Sequence, residues 1–268
     1  MNTFNVDTQT MHYLDVGQGP VLVFGHSYLW DSSMWAPQVD VLSQSYRCIV
    51  PEFWGHGQSS PAPVATRSLK GYAKDVLALL DTLGIDEFSL VGLSSGAMWA
   101  TEVVIEAPAR VTSLVLMDTF VGLEPEVANM RYFDLLSQVD EAKGFPDAVI
   151  DYFTAIQFGD SPSESLKDSF RQALAGASEE QAAALAHAGR MIFGRRDMFE
   201  DAEMFAIPSL IMVGAQDKVR PVLESQLMHD GITGSEFFLI PNAGHISNLE
   251  QPELVTEKLS DFFARHAR

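Results

Sequence analysis

One short stretch decides how this chain folds: Leu90-Val91-Gly92-Leu93-Ser94-Ser95-Gly96-Ala97. An apolar run with strand character, residues 88–91, leads into it, and a helix-type segment, 95–106, leaves it. A serine at a tight strand-to-helix turn has strained backbone, and side chains two positions to either side would collide. Such a turn lifts the serine hydroxyl clear of the sheet and places unpaired N–H groups of the helix beside it. Gly-x-Ser-x-Gly in this setting is a nucleophile elbow, although the pattern alone arises by chance in about one chain in ten of this length.

Apolar runs alternate with helical patterns on both sides of this stretch, which is typical of parallel strands covered by helices on both faces. The pattern predicts an α/β fold with a mostly parallel sheet of about eight strands flanked by helices. The first two strands are expected to form a hairpin. Strands are predicted at residues 3–6, 11–16, 21–24, 46–50, 88–91, 113–117, 209–213 and 236–240, and helices at 34–42, 68–83, 95–106, 221–228 and from the last strand to about 264.

The alternation stops between residues 121 and 203, where no buried strand is apparent. Ser178-Glu179-Glu180-Gln181 fits a capping box at a helix start. We therefore predict a helical lid (residues 121–203) inserted into an α/β core formed by 1–120 and 204–268. Its helical pieces are expected near residues 126–138, 145–158, 162–175 and 178–193.

Composition limits the kinds of partner. The chain has 268 residues, with 36 acidic and 17 basic side chains and a net charge of −19. This charge argues against binding to nucleic acid or to anionic membrane surfaces. The single cysteine, Cys48, can form neither an intramolecular disulfide nor a cysteine metal site. The first residues lack the pattern of a signal peptide, and no window approaches the ~18 apolar residues of a membrane span. We expect a soluble, cytoplasmic protein.

A serine nucleophile needs a base, and the base needs an orienting carboxylate. His245 follows the strand predicted at 236–240, and Asp217 follows the strand at 209–213. Both therefore lie at the carboxyl ends of strands, where an open α/β sheet places its ligand site. The chain order Ser94, Asp217, His245 is the order found in hydrolases that use this elbow.

With these residues the sequence resembles the α/β-hydrolase superfamily over essentially its whole length. It is most similar to the branch of small bacterial esterases, enol-lactonases, cofactor-free haloperoxidase-like enzymes and carbon–carbon hydrolases. Some relatives take their acid from the strand after the elbow helix, which makes Asp118 a rival to Asp217. Besides the elbow, the resemblance rests on Trp54-Gly55-His56-Gly57-Gln58-Ser59, Val213-Gly214-Ala215-Gln216-Asp217 and Gly244-His245-Ile246-Ser247-Asn248-Leu249-Glu250-Gln251-Pro252.

The resemblance implies an oxyanion hole made by the backbone N–H groups of Ser95 and Tyr28. In the loop that supplies the second donor, the family usually has His-Gly and then an apolar residue, whereas this chain has His26-Ser27-Tyr28. If position 27 requires a positive φ, serine costs about 1 kcal/mol or more there.

Side chains near these motifs are candidates for a substrate pocket. Trp30, Trp54 and His26 lie on loops at the strand ends and are predicted to line it. In the family, the counterparts of His26 and His56 hold together the loop that supplies the second oxyanion donor and the loop next to it. For His26, a place in the pocket and a role between these loops therefore both stay open. The arginines of the insertion are expected at the surface, solvated or salt-bridged; they are Arg131, Arg171, Arg190, Arg195 and Arg196.

The function predicted is that of a serine hydrolase that cleaves a carboxylic ester or lactone through an acyl-enzyme on Ser94. The expected partner is a small-molecule substrate, and neither a metal nor an organic cofactor is required. Two alternatives stay open: a carbon–carbon bond hydrolase or lyase that uses the same three residues, and a ligand receptor or signalling protein built on a hydrolase scaffold. The sequence leaves the oligomeric state open.

Overall fold

Eight strands form one sheet in the computed structural model, which describes residues 1–267. Their spatial order is β1-β2-β4-β3-β5-β6-β7-β8. The pairs β1–β2 and β2–β4 are antiparallel, and all the other pairs are parallel. This confirms the predicted mostly parallel sheet. The strands are β1 (Asn2–Val6), β2 (Gln9–Val16), β3 (Val21–Gly25), β4 (Arg47–Pro51), β5 (Phe88–Leu93), β6 (Val111–Met117), β7 (Ser209–Gly214) and β8 (Glu236–Ile240).

Eleven α-helices occur among the described residues. Within residues 1–267, no helix combines the length and the apolarity needed to cross a membrane. The helices are α1 (Ala36–Leu42), α2 (Leu69–Thr82), α3 (Ser95–Glu106), α4 (Glu126–Ala142), α5 (Asp147–Gln157), α6 (Glu164–Ala175), α7 (Glu179–Phe193), α8 (Phe199–Glu203), α9 (Val222–Gly231), α10 (Ser247–Glu250) and α11 (Pro252–His266).

Both faces of the sheet are buried, which explains why its inner strands are apolar without interruption. Successive residues of a strand point to opposite faces. In β3, Val23 joins the cluster that contains residues of α2 and α3, whereas Leu22 and Phe24 join the cluster that contains residues of α1 and α11. Because the parallel strands run side by side, the loops that follow β3, β5, β6, β7 and β8 meet at one edge of the sheet.

Ser32 and Ser33, which precede the helix predicted at 34–42, do not cap it. The side chain of Asp31 accepts a hydrogen bond from the Ser33 N–H and begins a 3-10 turn, Ser32–Trp35. Helix α1 follows directly, with a proline in its first turn. The Asp31 carboxylate, one residue before Ser32, therefore accepts a hydrogen bond from an N–H group that has no partner within the helix.

Five helices, α4 to α8, lie between β6 and β7. Four of them, α4 to α7, lie where helices are predicted, whereas α8 lies where no helix is predicted. The capping box at the start of α7 is confirmed: the Ser178 hydroxyl accepts from the Gln181 N–H, and the Gln181 side chain accepts from the Ser178 N–H. Residues 121–203 are called the cap segment below; their division from the core as a separate lid stays a prediction.

Candidate active site

Ser94 lies between β5 and α3 with φ +55° and ψ −118°, a conformation that L-residues rarely adopt. Glycines on either side make this turn possible. A Cβ atom at Gly92 would lie 2.3 Å from the backbone nitrogen of Ala97, and one at Gly96 would lie 2.0 Å from the carbonyl oxygen of Gly25. Either side chain would force the elbow apart, so the spacing of the motif follows from steric exclusion.

A carboxylate orients the imidazole of His245. The His245 Nδ1 lies 2.9 Å from Asp217 Oδ2. The other carboxylate oxygen of Asp217 accepts from the N–H groups of Val219 (2.8 Å) and Arg220 (2.9 Å). An ionised carboxylate only accepts hydrogen bonds, so this contact places the imidazole proton on Nδ1 and leaves Nε2 as an acceptor.

Asp118, the rival acid, has other partners. Its Oδ1 accepts from the Gly214 N–H at 2.7 Å, and its Oδ2 accepts from the Ser247 hydroxyl. Burial and the neighbouring Asp217 raise the pKa of Asp118 well above its usual value. Asp118 therefore links the end of β6 to β7 and α10, whereas Asp217 is the acid in contact with His245.

Ser94 and His245 line the same cavity, which has a volume of about 20 Å³. The cap segment supplies part of its wall, including Phe153, Ile192 and Phe193. A space of this size holds about one water molecule. A small organic molecule needs more space than this beside Ser94.

The two N–H groups predicted to form the oxyanion hole have no acceptor. Within residues 1–267, neither Ser95 N–H nor Tyr28 N–H donates a hydrogen bond. The expected difficulty at Ser27 does not arise, because the positive φ of this loop falls on Leu29 (φ +66°). Serine is therefore accommodated at position 27 without backbone strain.

The Tyr28 side chain connects the oxyanion loop to the cap segment. Its hydroxyl donates to the carbonyl of Leu185 in α7 at 3.0 Å. Its ring makes edge contacts with Phe153 and Phe193, with centroids 6.1 Å and 5.5 Å away. The residue predicted to supply a backbone donor is thus anchored in the cap segment, which forms part of the cavity wall.

His26 and His56 hold backbone loops together. His26 Nε2 accepts from the Phe53 N–H at 2.8 Å, and its Nδ1–H donates to the carbonyl of the next residue at 2.9 Å. His56 Nε2 accepts from the Leu29 N–H at 3.2 Å, and its Nδ1–H donates to the carbonyl two residues earlier at 3.1 Å. Both nitrogens of each ring are occupied, and His26 is not among the residues that line the Ser94 cavity. His26 therefore bridges the two loops in this structure, and its predicted place in a substrate pocket stays a prediction.

The buried His56 predicts a pH-dependent stability difference. Burial, followed by the neighbouring His26, lowers the pKa of His56 to about 3, whereas in the unfolded chain it is about 6.5. As the pH falls, His56 is therefore protonated in the unfolded state before it is protonated in the folded state. This difference lowers the unfolding free energy by about 2 kcal/mol between pH 7 and pH 5. Since glutamine does not titrate, the difference in unfolding free energy between the wild type and His56→Gln should shrink by about that amount over this range. Urea unfolding at the two pH values measures it, and a constant difference would show that His56 is not held neutral.

The two loop tryptophans do not line the Ser94 cavity. Trp54 is fully buried and donates its indole N–H to Asp75 at 2.8 Å, and these contacts give no support to its predicted place in the pocket. Trp30 stacks on Phe170 with ring centroids 5.1 Å apart and donates its indole N–H to Gln157 at 3.2 Å. It lines a separate cavity of about 150 Å³ beneath the cap segment.

A buried ion cluster, which no sequence pattern indicates, joins the cap segment to the core. Arg195, expected at the surface, is only 6% exposed, and its Nη1 donates to Glu124 at 2.7 Å. Arg220, three residues after Asp217, binds the same carboxylate and lines the Ser94 cavity. Burial raises the pKa of Glu124, but the two guanidinium groups outweigh burial and hold it below its usual value. Glu124 precedes α4 and Arg195 follows α7, so one carboxylate fixes both ends of the α4–α7 segment.

Neutralising Glu124 should destabilise the fold. In Glu124→Gln the two buried guanidinium groups lose their shared counter-charge, and we expect the unfolding free energy to fall by about 3–5 kcal/mol. The matched control is Glu179→Gln, because Glu179 pairs with Lys143 where both side chains are largely exposed. That change should cost at most about 1 kcal/mol. Denaturant unfolding compares them, and equal losses would contradict the role given to the cluster.

Comparison with known proteins places the chain in a family. The model for the alpha/beta hydrolase fold matches residues 20–252. A 3-oxoadipate enol-lactonase from Acinetobacter baylyi is 29% identical over 243 residues, which cover 91% of this chain and 88% of the relative. A carboxylesterase from Bacillus subtilis is 24% identical over 91% of this chain and 80% of its own length. A thermophilic esterase from Thermogutta terrifontis superposes with a TM-score of 0.86 and 26% identity, covering 96% of this chain and 94% of that one.

The chain therefore belongs to the alpha/beta hydrolase fold family. This confirms the resemblance inferred from the elbow, the acid loop and the histidine loop.

Proposed function

We propose that the protein is a serine hydrolase that cleaves a carboxylic ester or a lactone through an acyl-enzyme on Ser94. The observation that carries the proposal is the hydrogen bond between His245 Nδ1 and Asp217 Oδ2, at the wall of the cavity that Ser94 also lines. The relatives named as enol-lactonase, carboxylesterase and esterase support the same class of substrate.

Acylation starts at the acceptor nitrogen of His245. Its Nε2 takes the hydroxyl proton of Ser94 as Oγ attacks the substrate carbonyl carbon. The charge that develops on the carbonyl oxygen is stabilised by the unpaired N–H groups of Ser95 and Tyr28. His245 then gives the proton to the departing oxygen, which leaves as an alcohol or stays attached as the hydroxyl of an opened lactone.

Deacylation repeats these steps with water. His245 Nε2 removes a proton from a water molecule that attacks the acyl carbon, and the tetrahedral intermediate uses the same two N–H donors. The intermediate then collapses with return of the proton to Ser94 Oγ. Asp217 stays ionised throughout, holds the imidazole in one orientation and stabilises its positive charge.

The cap segment acts as a lid in this proposal, over a core formed by residues 1–120 and 204–268. Its aromatic side chains leave only about 20 Å³ beside Ser94, so binding and product release need movement of residues 121–203. Closure removes water from the reacting carbonyl, which strengthens the hydrogen bonds to the developing charge. The cytoplasmic location expected from the sequence stays a prediction.

A substrate panel tests the proposal. It contains p-nitrophenyl esters of graded acyl length, a series of lactones and a vinylogous diketone, each assayed with the wild type and with Ser94→Ala. Ester or lactone turnover that depends on Ser94 supports the proposal. Turnover of the diketone alone favours the carbon–carbon hydrolase, and ligand binding without turnover of any substrate favours the receptor.

A further inference from the structure

The hydroxyl of Ser27 is a buried polar group without a partner. Ser27 is 1% exposed. Its N–H lies 3.2 Å from the sulfur of Met34, and its carbonyl accepts from the His26 imidazole at 2.9 Å and the Trp30 N–H at 3.2 Å. Within residues 1–267, its Oγ makes no hydrogen bond. Burying a hydroxyl without a partner costs free energy, so the group calls for an explanation, which a bound substrate can supply.

The position of Ser27 indicates what the partner is. Ser27 lines the cavity that Ser94, His245 and Tyr28 also line. We propose that the Ser27 hydroxyl is a third donor of the oxyanion hole, next to the N–H groups of Tyr28 and Ser95. This inference rests on the proposed function, because it assigns a substrate contact in the reaction at Ser94.

The Ser27 hydroxyl acts as a donor and not as a second nucleophile. When the bond between Ser94 Oγ and the carbonyl carbon forms, the carbonyl electron pair moves onto oxygen. The Ser27 O–H then donates to a charged acceptor and keeps its proton. Its neighbour His26 cannot serve it as a base, because Nε2 already accepts from Phe53 and Nδ1 already donates to a carbonyl. A hydrogen bond that strengthens as the oxygen becomes charged accelerates the chemical step more than it tightens substrate binding.

A side-chain donor such as Ser27 allows the oxyanion hole to be tested by mutation. The other two donors are backbone groups, which a substitution does not remove. Ser27 has no positive φ, so alanine fits its backbone. The change Ser27→Ala deletes one unpaired oxygen and should leave the unfolding midpoint unchanged or raise it. A loss of activity without a loss of stability separates substrate stabilisation from a structural role.

The experiment compares Ser27→Ala with Ser225→Ala. Ser225 is also fully buried with an unpaired hydroxyl, but it lies in α9 and does not line the cavity. With a p-nitrophenyl ester that the wild type turns over, Ser27→Ala should lower kcat about 10- to 100-fold with KM within about threefold. Its affinity for a trifluoromethyl ketone, which forms a tetrahedral adduct with an oxyanion, should fall by a similar factor. Ser27→Thr keeps a hydroxyl and should recover most of the loss, whereas Ser225→Ala should match the wild type.

Other outcomes overturn the inference. A kcat of Ser27→Ala within twofold of the wild type, or an equal loss in Ser225→Ala, would show that the hydroxyl does not contact the oxyanion. A loss confined to esters with poor leaving groups would assign it to the leaving oxygen instead. If Ser27→Ala does not fold, the same kinetics on Ser27→Gly decide the question. If Ser94→Ala keeps full activity, the proposed function itself is contradicted. If Ser94→Ala is inactive and Ser27→Ala is fully active, the proposed function stands and only the role of Ser27 as a third donor is contradicted.

Discussion

Ser94→Ala should lower kcat/KM by roughly four to six orders of magnitude toward any ester that the wild type hydrolyses. In the proposed mechanism the substitution removes the only protein atom that forms a bond to the acyl group, and the remaining oxyanion donors retain a small part of the rate enhancement. Initial rates with a p-nitrophenyl ester, at high enzyme concentration for the variant, measure the ratio.

Ser225→Ala is the matched control for Ser94→Ala. It deletes a buried serine hydroxyl away from the cavity and should retain the wild-type rate. A Ser94→Ala enzyme that keeps more than about one hundredth of the wild-type activity would mean that another group attacks the carbonyl.

Asp217→Asn should lower kcat by about three to four orders of magnitude. The amide side chain can present its N–H₂ group to the imidazole, which then adopts the wrong tautomer for a base. Asp118→Asn is the comparison, because Asp118 lies at the end of the neighbouring strand and bonds Gly214 and Ser247 instead of His245. Its activity should stay within about tenfold of the wild type, since its partners do not touch the reacting atoms. The reverse ranking of the two variants would assign the acid to Asp118.

Features that depend on nearby residues in the chain, or on which strands lie side by side, could be predicted from the sequence. The elbow is one of them, because the crowding at Gly92 and Gly96 follows from the tight turn itself. Asp217 and His245 could be paired because the carboxyl ends of adjacent parallel strands meet at one sheet edge. The capping box at Ser178 is equally local.

Features that depend on the direction of a side chain could not be predicted. Trp54 is on a strand-end loop as expected, yet its indole turns away from the cavity to reach Asp75. Glu124 lies 71 residues from Arg195 and 96 residues from Arg220, and no sequence pattern links these charges. The strain expected at position 27 falls on Leu29, because which residue of a loop takes the positive φ depends on how the whole loop closes.

The contacts of Tyr28 link the cap segment to the proposed site. Its side chain bonds Leu185 in α7, while its N–H faces no protein acceptor within residues 1–267. Movement of α7 away from the core would therefore release the anchor of an oxyanion donor. The site would then be complete only when the cap segment is closed, which couples exclusion of water to stabilisation of the oxyanion.

Covalent labelling tests the central claim, an acyl-enzyme on Ser94, most directly. A p-nitrophenyl alkylphosphonate transfers its phosphonyl group to an activated serine and stops at a stable analogue of the tetrahedral intermediate. We expect one adduct per chain by intact mass, located by peptide mapping at Ser94, formed in parallel with loss of esterase activity and absent from Ser94→Ala. Complete inactivation with the adduct on another residue, or a wild type that hydrolyses esters at full rate while Ser94 stays unlabelled, would contradict it.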